Sequence, residues 1–330
     1  MKKVIFWIAV LILVVTSINS RIYCQTKLAQ TGFQFLSVTC DARAAAIGEA
    51  MTTIAGNSSS LFFNPAAMAN MTGFFDVSFS QNQWIADINY NAFSFAVNPA
   101  NGKYGTLGIS VVSVDYNEVQ GTMYWNNQQG YVDTELMSPS ALAIGLGYAR
   151  ALSDRFSVGG QIRTAYQSLG KSVIPEGSGL KVEKNIASVV SYDFGTLFKT
   201  GIKSLTFGMS VRNFSKEIKY SEESFQLPLT FTIGLSMNLM DLATIGGPNQ
   251  ALLLSIDATH PRSHPEQLKF GLDYRFIDIL SLRGGYISNN DENAFAFGVG
   301  ISYFGLTVDY AYTPFGVFDK VQRISFRISK

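Results

Sequence analysis

The sequence predicts an all-β protein: a 14-stranded antiparallel transmembrane β-barrel with an N-terminal hatch of short helices and loops in its lumen. Three observations support this fold class. Short segments alternate strictly between apolar and polar residues, as in QLKFGLDYRF (267–276), and a β-strand places successive side chains on opposite faces. Charged residues make up only 15% of the chain, against about 25% in soluble domains. Long and short connections alternate along the chain, which is typical of outer-membrane barrels.

Residues 1–24 are typical of an export signal peptide. Lys2 and Lys3 precede the apolar residues 4–15, a run shorter than the roughly 20 residues that a helix needs to cross a bilayer. We expect cleavage between about residues 20 and 25; the alternative is a retained membrane anchor. If cleavage follows Cys24, Cys40 is the only cysteine left, and no disulfide supports the fold.

Residues 25–71 differ from the rest of the chain, and we expect them to form the hatch. The segment ARAAAIGEAM (42–51) favours a helix, whereas residues 57–60 and the pair Asn64-Pro65 indicate turns. Fourteen strands enclose a lumen too wide for the side chains of the wall to fill. A compact N-terminal segment is therefore the natural plug.

The barrel domain, residues 72–330, contains fourteen strand-like segments. Most have the length that a tilted strand needs to cross a membrane, about 9–11 residues. Pro139 and Pro228 lie at strand starts, where a missing N–H does least harm. The predicted strands are 72–80, 88–97, 104–115, 139–149, 156–168, 187–198, 204–213, 227–238, 250–258, 267–276, 279–288, 294–302, 305–312 and 321–329.

The connections predict the orientation of the barrel. An even number of strands with long outer loops and short inner turns places both termini in the periplasm. The long connections 116–138, 169–186 and 214–226 would then form an extracellular contact surface. A polar stretch with an aromatic anchor is typical of a partner-binding surface. The candidate partner-binding residues in the first connection are Tyr124, Trp125, Asn126 and Asn127.

Charged side chains on the strand faces opposite the apolar ones predict a charged lumen. They could form a solvated wall whose ion pairs hold the hatch, or they could be part of a path for a substrate or partner. The sequence leaves both interpretations open. The candidate lumen-facing residues are Lys269, Asp273, Arg275, Arg283, Asp309, Arg323 and Arg327.

No segment predicts an enzyme, a cofactor or a metal site. The segment AYQSLGKS (165–172) lacks the first glycine of a phosphate-binding loop. His260 and His264 are the only histidines, and no cluster of cysteine or carboxylate ligands accompanies them. Without the three basic residues of the signal, 22 basic and 24 acidic residues remain. This balance lacks the basic bias expected of a nucleic-acid-binding protein.

The segment FLSVTCDARAAAIGEAMTTIAGNSSSLFFNPAAMA (35–69) resembles the signature of the PorV/PorQ family of outer-membrane proteins, which is similar to the FadL-type fatty-acid channels. Trp84, Asp87, Ile88 and Tyr90 also resemble the family's pattern at the second strand. An acidic turn of the family is replaced here by Gly-Asn-Ser. The hatch residues that match the family motif are Ala42, Arg43, Ala44, Gly48, Asn64, Pro65 and Ala66.

The resemblance implies a fourteen-stranded barrel with a hatch and a place in type IX secretion. PorV-like members carry cargo bearing a C-terminal secretion domain to the surface attachment complex, and PorQ-like members anchor a surface partner. The implied function is therefore non-enzymatic binding or anchoring of secreted or surface proteins at the outer membrane. The alternative is a FadL-like transporter with a hydrophobic ligand in its lumen. A buried apolar pocket beside residues 35–69 would favour the transporter, and a polar, fully packed lumen would disfavour it.

Overall fold

The structure is a computed structural model that describes residues 31–176, 179–220, 223–243, 249–290, 294–318 and 320–330. The predicted signal peptide, residues 1–24, and the first residues of the predicted hatch lie outside these ranges. Among the described residues, no helix combines the length and apolar character needed to cross a membrane.

Fourteen antiparallel strands of the described chain form one closed barrel. Each strand pairs with its barrel neighbours in sequence, and β1 closes the barrel by pairing with β14. The predicted fold class is thus confirmed. The strands are β1 Phe75–Gln83, β2 Asn89–Val97, β3 Thr106–Asp115, β4 Ser140–Ala151, β5 Phe156–Glu176, β6 Gly179–Lys199, β7 Thr206–Phe214, β8 Thr230–Asn238, β9 Gln250–Pro261, β10 Gln267–Phe276, β11 Leu280–Ile287, β12 Phe295–Tyr303, β13 Leu306–Pro314 and β14 Lys320–Ser329.

The three long connections contain more regular structure than predicted. Connection 116–138 holds a hairpin of strands Val119–Tyr124 and Tyr131–Met137. Connection 169–186 is largely a continuation of β5 and β6, whose pairing extends to Glu176 opposite Gly179. Connection 214–226 holds a short ladder in which Ile218–Lys219 pairs with Ser224–Phe225. Backbone polar groups need partners, and local antiparallel pairing supplies them in segments that project from the barrel.

The two ends of the barrel differ. At the short-turn end, tight connections such as 277–279 and 304–305 join the strands. Lys330 lies at this end, where its N donates to the carbonyl of Phe75 at 3.0 Å. The three projecting segments stand at the opposite, long-loop end. Thr31, the first described residue, also lies there and bridges Gln226. The amino terminus itself belongs to residues 1–30, so the periplasmic position of both termini stays a prediction.

The barrel wall has an apolar outer face and a polar inner face. On β11, for example, Leu280 and Leu282 are exposed, whereas Ser281 and Arg283, which alternate with them, are buried. A soluble barrel or sandwich would show the reverse, since its apolar side chains form the core. An apolar outer belt around a polar lumen is the arrangement of outer-membrane barrels.

Residues 31–71, the described part of the hatch, fill the lumen. Helix α1, Ala42–Ala46, packs against β11 to β14 on one side of the barrel. A 3₁₀ helix at Pro65–Asn70 packs against β4, β5 and β6 on the other side, and a second at Ser58–Phe62 contacts β1, β2 and β3. A third at Gln34–Ser37 lies near the long-loop end. The core of the protein is therefore the interface between hatch and wall.

Candidate functional site

Wall glycines let the backbone of the hatch lie directly against the barrel. A Cβ added at Gly271 would stand 2.6 Å from the carbonyl oxygen of Ile47, and one at Gly285 would stand 2.6 Å from the Cα of Gly48. Gly48 has a φ of +60°, a conformation that glycine adopts without the steric cost of a side chain. The glycine of the hatch motif therefore serves the docking of the hatch.

The Ala-Arg-Ala part of the motif forms α1 and connects it to the wall. The Asp41 side chain caps the helix by accepting a hydrogen bond from the Ala44 N–H at 2.8 Å, and burial raises the pKa of Asp41. Ala42 and Ala44 are fully buried. Arg43 reaches the wall, where its Nε donates to Asp273 Oδ2 at 3.1 Å.

Asp273 belongs to a buried series of ion pairs on the lumen wall. Arg283 Nε lies 3.2 Å from Asp273 Oδ1, and Arg283 Nη1 donates to Asp309 Oδ1 at 2.6 Å. Positive and negative charges therefore alternate along a series that runs from the hatch into the wall: Arg43, Asp273, Arg283 and Asp309. Removing one member would leave an uncompensated buried charge, which is strongly destabilising. Three of the predicted lumen residues thus form the attachment of α1.

A second ion pair joins the hatch to β10. Lys269 Nζ donates to Glu49 Oε2 at 2.7 Å. Burial acts to raise the pKa of Glu49, but the charge of Lys269 and its hydrogen bond outweigh this effect and lower the pKa to about 2. The Glu49 carboxylate is therefore charged across the physiological pH range.

The remaining predicted lumen residues divide between the hatch interface and the rim. Arg323 is buried and its Nε donates to the carbonyl of Thr39 in the hatch at 2.9 Å. Arg327 Nε lies 3.9 Å from Asp76 Oδ2, near the short-turn end. The Arg275 side chain is 52% exposed and its nearest carboxylate is 3.9 Å away. Arg275 therefore lies at the rim, outside the packed lumen.

The Asn-Pro-Ala part of the motif attaches the hatch to β6. Asn64 Nδ2 donates to the carbonyls of Thr52 at 2.7 Å and Thr196 at 3.0 Å. Its Oδ1 caps the following 3₁₀ helix by accepting from the Ala66 N–H at 3.1 Å. Pro65 occupies the first helical position, where its missing N–H costs nothing. Asn64 and Ala66 are fully buried.

Several buried polar contacts of the lumen wall, one of them an attachment of the hatch, were missed by the sequence reasoning. Arg163 forms a buried ion pair with Asp193, and Arg163 Nη1 also donates to Asn213 Oδ1 at 3.2 Å. Asp257 Oδ2 accepts from the N–H of Thr52 in the hatch at 3.0 Å. Arg163, Asp193 and Asp257 occupy inward positions of the same alternating pattern that identified Asp273, so their signal was present in the sequence. Asn213 directly follows the inward Arg212 at an irregularity in the β6–β7 pairing, which alternation does not predict.

A cavity of about 580 Å³, the chamber, lies between the hatch and the long-loop end. This volume is within the range of about 300–1,000 Å³ that is typical of small-molecule sites. The rings of Trp84 and Phe315 meet edge to face with their centroids 5.0 Å apart. Phe35 of the hatch contributes to the base of the chamber. The aromatic lining residues are Phe35, Trp84, Tyr90, Tyr116 and Phe315.

The chamber also has a charged floor. Glu49, Arg212 and Lys269 line it where the hatch meets β7 and β10. Arg212 Nη1 donates to the carbonyl of Phe62 at 2.7 Å, and its guanidinium lies 5.9 Å from the centroid of the Phe63 ring. The lining is thus part aromatic and part polar. It matches neither a purely apolar pocket nor a fully packed lumen.

The hatch separates the chamber from the short-turn end. A cavity of about 330 Å³ opens at that end beside Asp76, Arg327 and Lys330 and shares no lining residue with the chamber. Two further cavities between hatch and wall have volumes of only about 10 Å³ and 30 Å³. In this conformation, the hatch therefore lies between the chamber and the cavity at the short-turn end.

The candidate partner-binding residues lie at the tip of the projecting hairpin, away from the chamber. Tyr124 is 79% exposed and Trp125 is 50% exposed. Asn126 is also exposed. Asn127 has a structural role, because its Oδ1 accepts from the Gly130 N–H at 2.7 Å and stabilises the turn.

The described residues offer little for catalysis. They contain no group of three or more His, Cys, Asp or Glu side chains placed to hold a metal ion. His260 Nδ1 lies 2.9 Å from Glu266 Oε1 on the exposed long-loop end. Cys40 is buried in the hatch, and burial raises the pKa of its thiol to about 12. A thiol so protected is not a nucleophile at neutral pH.

No protein-family model and no curated protein matches this sequence. The solved structures that are similar to it include the following three. The Ralstonia pickettii toluene transporter TbuX is 12% identical with a TM-score of 0.58, and the match covers 87% of this chain and 97% of that one. The Pseudomonas putida toluene transporter TodX is 11% identical with a TM-score of 0.58, over 92% and 98%. The CymD monoaromatic hydrocarbon channel is 10% identical with a TM-score of 0.59, over 89% and 98%.

At such low identity, these similarities demonstrate the fold alone. They support the FadL-like architecture that the sequence resemblance implied. They do not confirm membership of the PorV/PorQ family or a place in type IX secretion.

Proposed function

We propose that this protein is a non-enzymatic outer-membrane barrel that takes small hydrophobic molecules into the chamber from the long-loop end. The observation that carries the proposal is the aromatic-lined chamber of about 580 Å³ directly above the hatch. The apolar outer belt supports a position in a membrane. The proteins that share the fold are named as a transporter of toluene and a channel for monoaromatic hydrocarbons. This is the transporter alternative of the sequence analysis.

A ligand in the chamber cannot pass straight through the hatch as it stands. The attachments of Gly48, Glu49 and Asn64 bind the hatch to the wall at several points. Onward movement therefore requires the hatch to shift or the wall to open. The chamber is the site where a ligand would be captured, and the hatch is the barrier that controls its passage.

The proposal is tested by filling the chamber. Ser37 is exposed on the hatch and lines the chamber, so Ser37→Trp places an indole inside it. Thr122→Trp is the control, because Thr122 is exposed on the projecting hairpin. We expect cells producing the wild type or Thr122→Trp to take up labelled toluene faster than cells without the barrel. Cells producing Ser37→Trp should take up toluene no faster than cells without the barrel. Equal uptake by both variants would contradict capture in the chamber.

The domain boundaries and orientation belong to the same proposal. Residues 1–24 are removed as a signal peptide, residues 25–71 form the hatch, and residues 72–330 form the barrel. The long-loop end faces the outside of the cell, and the carboxyl terminus faces the periplasm. A protease added to whole cells should then cut within 116–138 or 169–186. Cleavage only after rupture of the outer membrane would reverse the orientation.

The type IX secretion role stays a prediction from the resemblance. The residues that carry the resemblance, such as Arg43, Gly48 and Asn64, attach the hatch to the wall. The attachment of the hatch to the wall is enough to explain why these residues occur in the motif, and it requires no secreted partner. Purification of the native protein in detergent tests the role directly. Co-purification of proteins that share a C-terminal secretion domain would support it, and their absence alongside bound hydrophobic molecules would favour the transporter.

A further inference from the structure

Exposed apolar side chains occupy the connections at the short-turn end. Each of the six connections there carries at least one in its described residues, and so does the segment leading into β1. Connection 277–279 has Ile277 and Ile279, exposed by 49% and 44%. The others are 60% to 91% exposed, and they are Phe74, Tyr104, Leu152, Ile202, Leu242 and Phe304.

This composition is the opposite of that found in turns that are exposed to water. Turns in water are dominated by Gly, Asn, Asp, Ser and Pro, and an isolated exposed Leu or Ile needs no explanation. Here the apolar residues recur in every connection around the rim, which makes a ring. Exposed apolar surfaces that are this extensive mark an interface with a membrane or another protein.

The ring is continuous with the lipid-facing belt of the barrel. On β12, the outward residues Val299 and Ile301 lead to Tyr303 and then to Phe304 in the turn. On the following strand, Leu306 is exposed from its first position. The apolar surface therefore does not stop where the strands stop. At the long-loop end, the extension of β5 and β6 mixes exposed apolar residues such as Leu169 and Val182 with the exposed Lys171 and Lys184.

The charges at the short-turn end are biased toward basic residues. The relevant residues are those of the described turns, the last two residues of each strand that leads into a turn, and Lys330. Among their exposed or half-exposed charged side chains, seven are basic and three are acidic. Lys103, Arg155 and Lys203 lie in the turns themselves, beside the exposed Tyr104, Leu152 and Ile202. Long basic side chains can keep their stems in an apolar region while their charged ends reach lipid phosphates.

We propose that the short-turn rim binds an anionic phospholipid leaflet. The apolar turn residues enter the leaflet below the level of the phosphates, and the basic residues beside them bind the phosphates. The rim is therefore part of the membrane surface of the protein and does not project into water. This proposal rests on the proposed membrane location but goes beyond it, since a barrel could cross a membrane with its turns in water.

Nitroxide labels on single cysteines test the proposal in vesicles of phosphatidylcholine and phosphatidylglycerol. The accessibility of each label to oxygen, which concentrates in the bilayer, is compared with its accessibility to a water-soluble nickel complex. The test positions are Phe304→Cys and Ile202→Cys. Leu282→Cys, on the outer belt, is the reference for lipid, and Tyr124→Cys, on the projecting hairpin, is the reference for water. Cys40 is replaced by Ala in every variant.

We expect the labels at 304 and 202 to show a severalfold higher ratio of oxygen to nickel collisions than the label at 124. If they match position 124 while position 282 reports lipid, the rim stands in water and the proposal is overturned. The ring would then be a surface for a protein. If position 282 also reports water, the membrane location itself is wrong. The two failures are therefore distinguishable.

The headgroup part of the proposal has a separate measurement. Wild-type protein extracted from vesicles of equal parts of the two lipids should retain more phosphatidylglycerol than phosphatidylcholine, as measured by mass spectrometry. The double variant Lys103→Gln, Lys203→Gln should lose part of this enrichment. The matched double variant Lys171→Gln, Lys184→Gln, at the long-loop end, should keep it. Equal retention of both lipids by the wild type would overturn the assignment of the basic residues.

Discussion

The substitution Gly285→Ala tests whether close backbone contact holds the hatch closed. A Cβ at this position would stand 2.6 Å from the Cα of Gly48, whereas ordinary carbon contacts begin near 3.5 Å. The backbone nitrogen of Gly48 would lie closer still, so the hatch or the wall must shift by more than about 0.9 Å. Because the obstructing atoms belong to the backbone, they cannot rotate away. Overpacking of this kind costs about 1–3 kcal/mol.

The adjacent glycine is a matched control. A Cβ at Gly284 meets nothing within 4 Å, because this residue faces outward on the same strand. Both substitutions restrict the unfolded chain equally and stabilise the folded state by about 0.4–1 kcal/mol through that effect. The difference between the two variants therefore isolates the contact with the hatch. We expect it to be about 2 kcal/mol.

Alkylation of Cys40 measures opening of the hatch. Cys40 is buried and its pKa is raised to about 12 by burial, so a maleimide reagent reaches its thiolate only when the hatch opens. A difference of 2 kcal/mol corresponds to about a 30-fold faster reaction in Gly285→Ala than in Gly284→Ala. The reaction is followed by mass spectrometry on protein without residues 1–24. Equal rates in the two variants would refute the reasoning that the wall glycines seat the hatch.

Three further substitutions, one of them with a control substitution, test the side-chain attachments. Asn64→Ala should lower the free energy of unfolding by about 2–3 kcal/mol in a urea titration, since it removes a cap and leaves buried carbonyls unpaired. Arg43→Met should accelerate Cys40 alkylation, whereas Arg275→Met, which removes an exposed pair at the rim, should leave the rate unchanged. Glu49→Gln should be less stable than the wild type at pH 7, because Lys269 loses its counterion. The pKa of Glu49 is lowered to about 2, so its contribution is complete above about pH 5 and disappears as the pH falls toward 2; a difference between the two proteins that is constant down to pH 2 would contradict this.

The barrel could be predicted from the sequence because its signal is local. In Gln267–Phe276, five apolar residues alternate with five polar or small ones, and the period of two fixes both the strand and its two faces. The same alternation assigned Lys269 and Asp273 to the lumen before any contact was known. It did not show that Arg275 lies at the exposed rim, because alternation gives the face of a residue but not its depth in the barrel. It also left the projecting strands such as Val119–Tyr124 unpredicted.

The hatch motif was recognised as a pattern, but its physical role could not be read from it. Asn64 pairs with the carbonyl of Thr196, 132 residues away in the chain. Gly48 meets the wall at Gly285. No local pattern specifies which wall residue a hatch residue will meet, because that depends on how the whole lumen is filled.

The sequence by itself determined the number of barrel strands, their faces and the presence of an N-terminal plug, since each of these follows from short-range periodicity and composition. Only the tertiary structure decided the height at which the hatch sits and thereby the size of the chamber. Trp84 and Phe315, which both line the chamber, come from distant segments and meet only because barrel closure brings β1 beside β14. Strand periodicity is a property of neighbouring residues, whereas a cavity is the space that a closed barrel and its hatch leave unfilled.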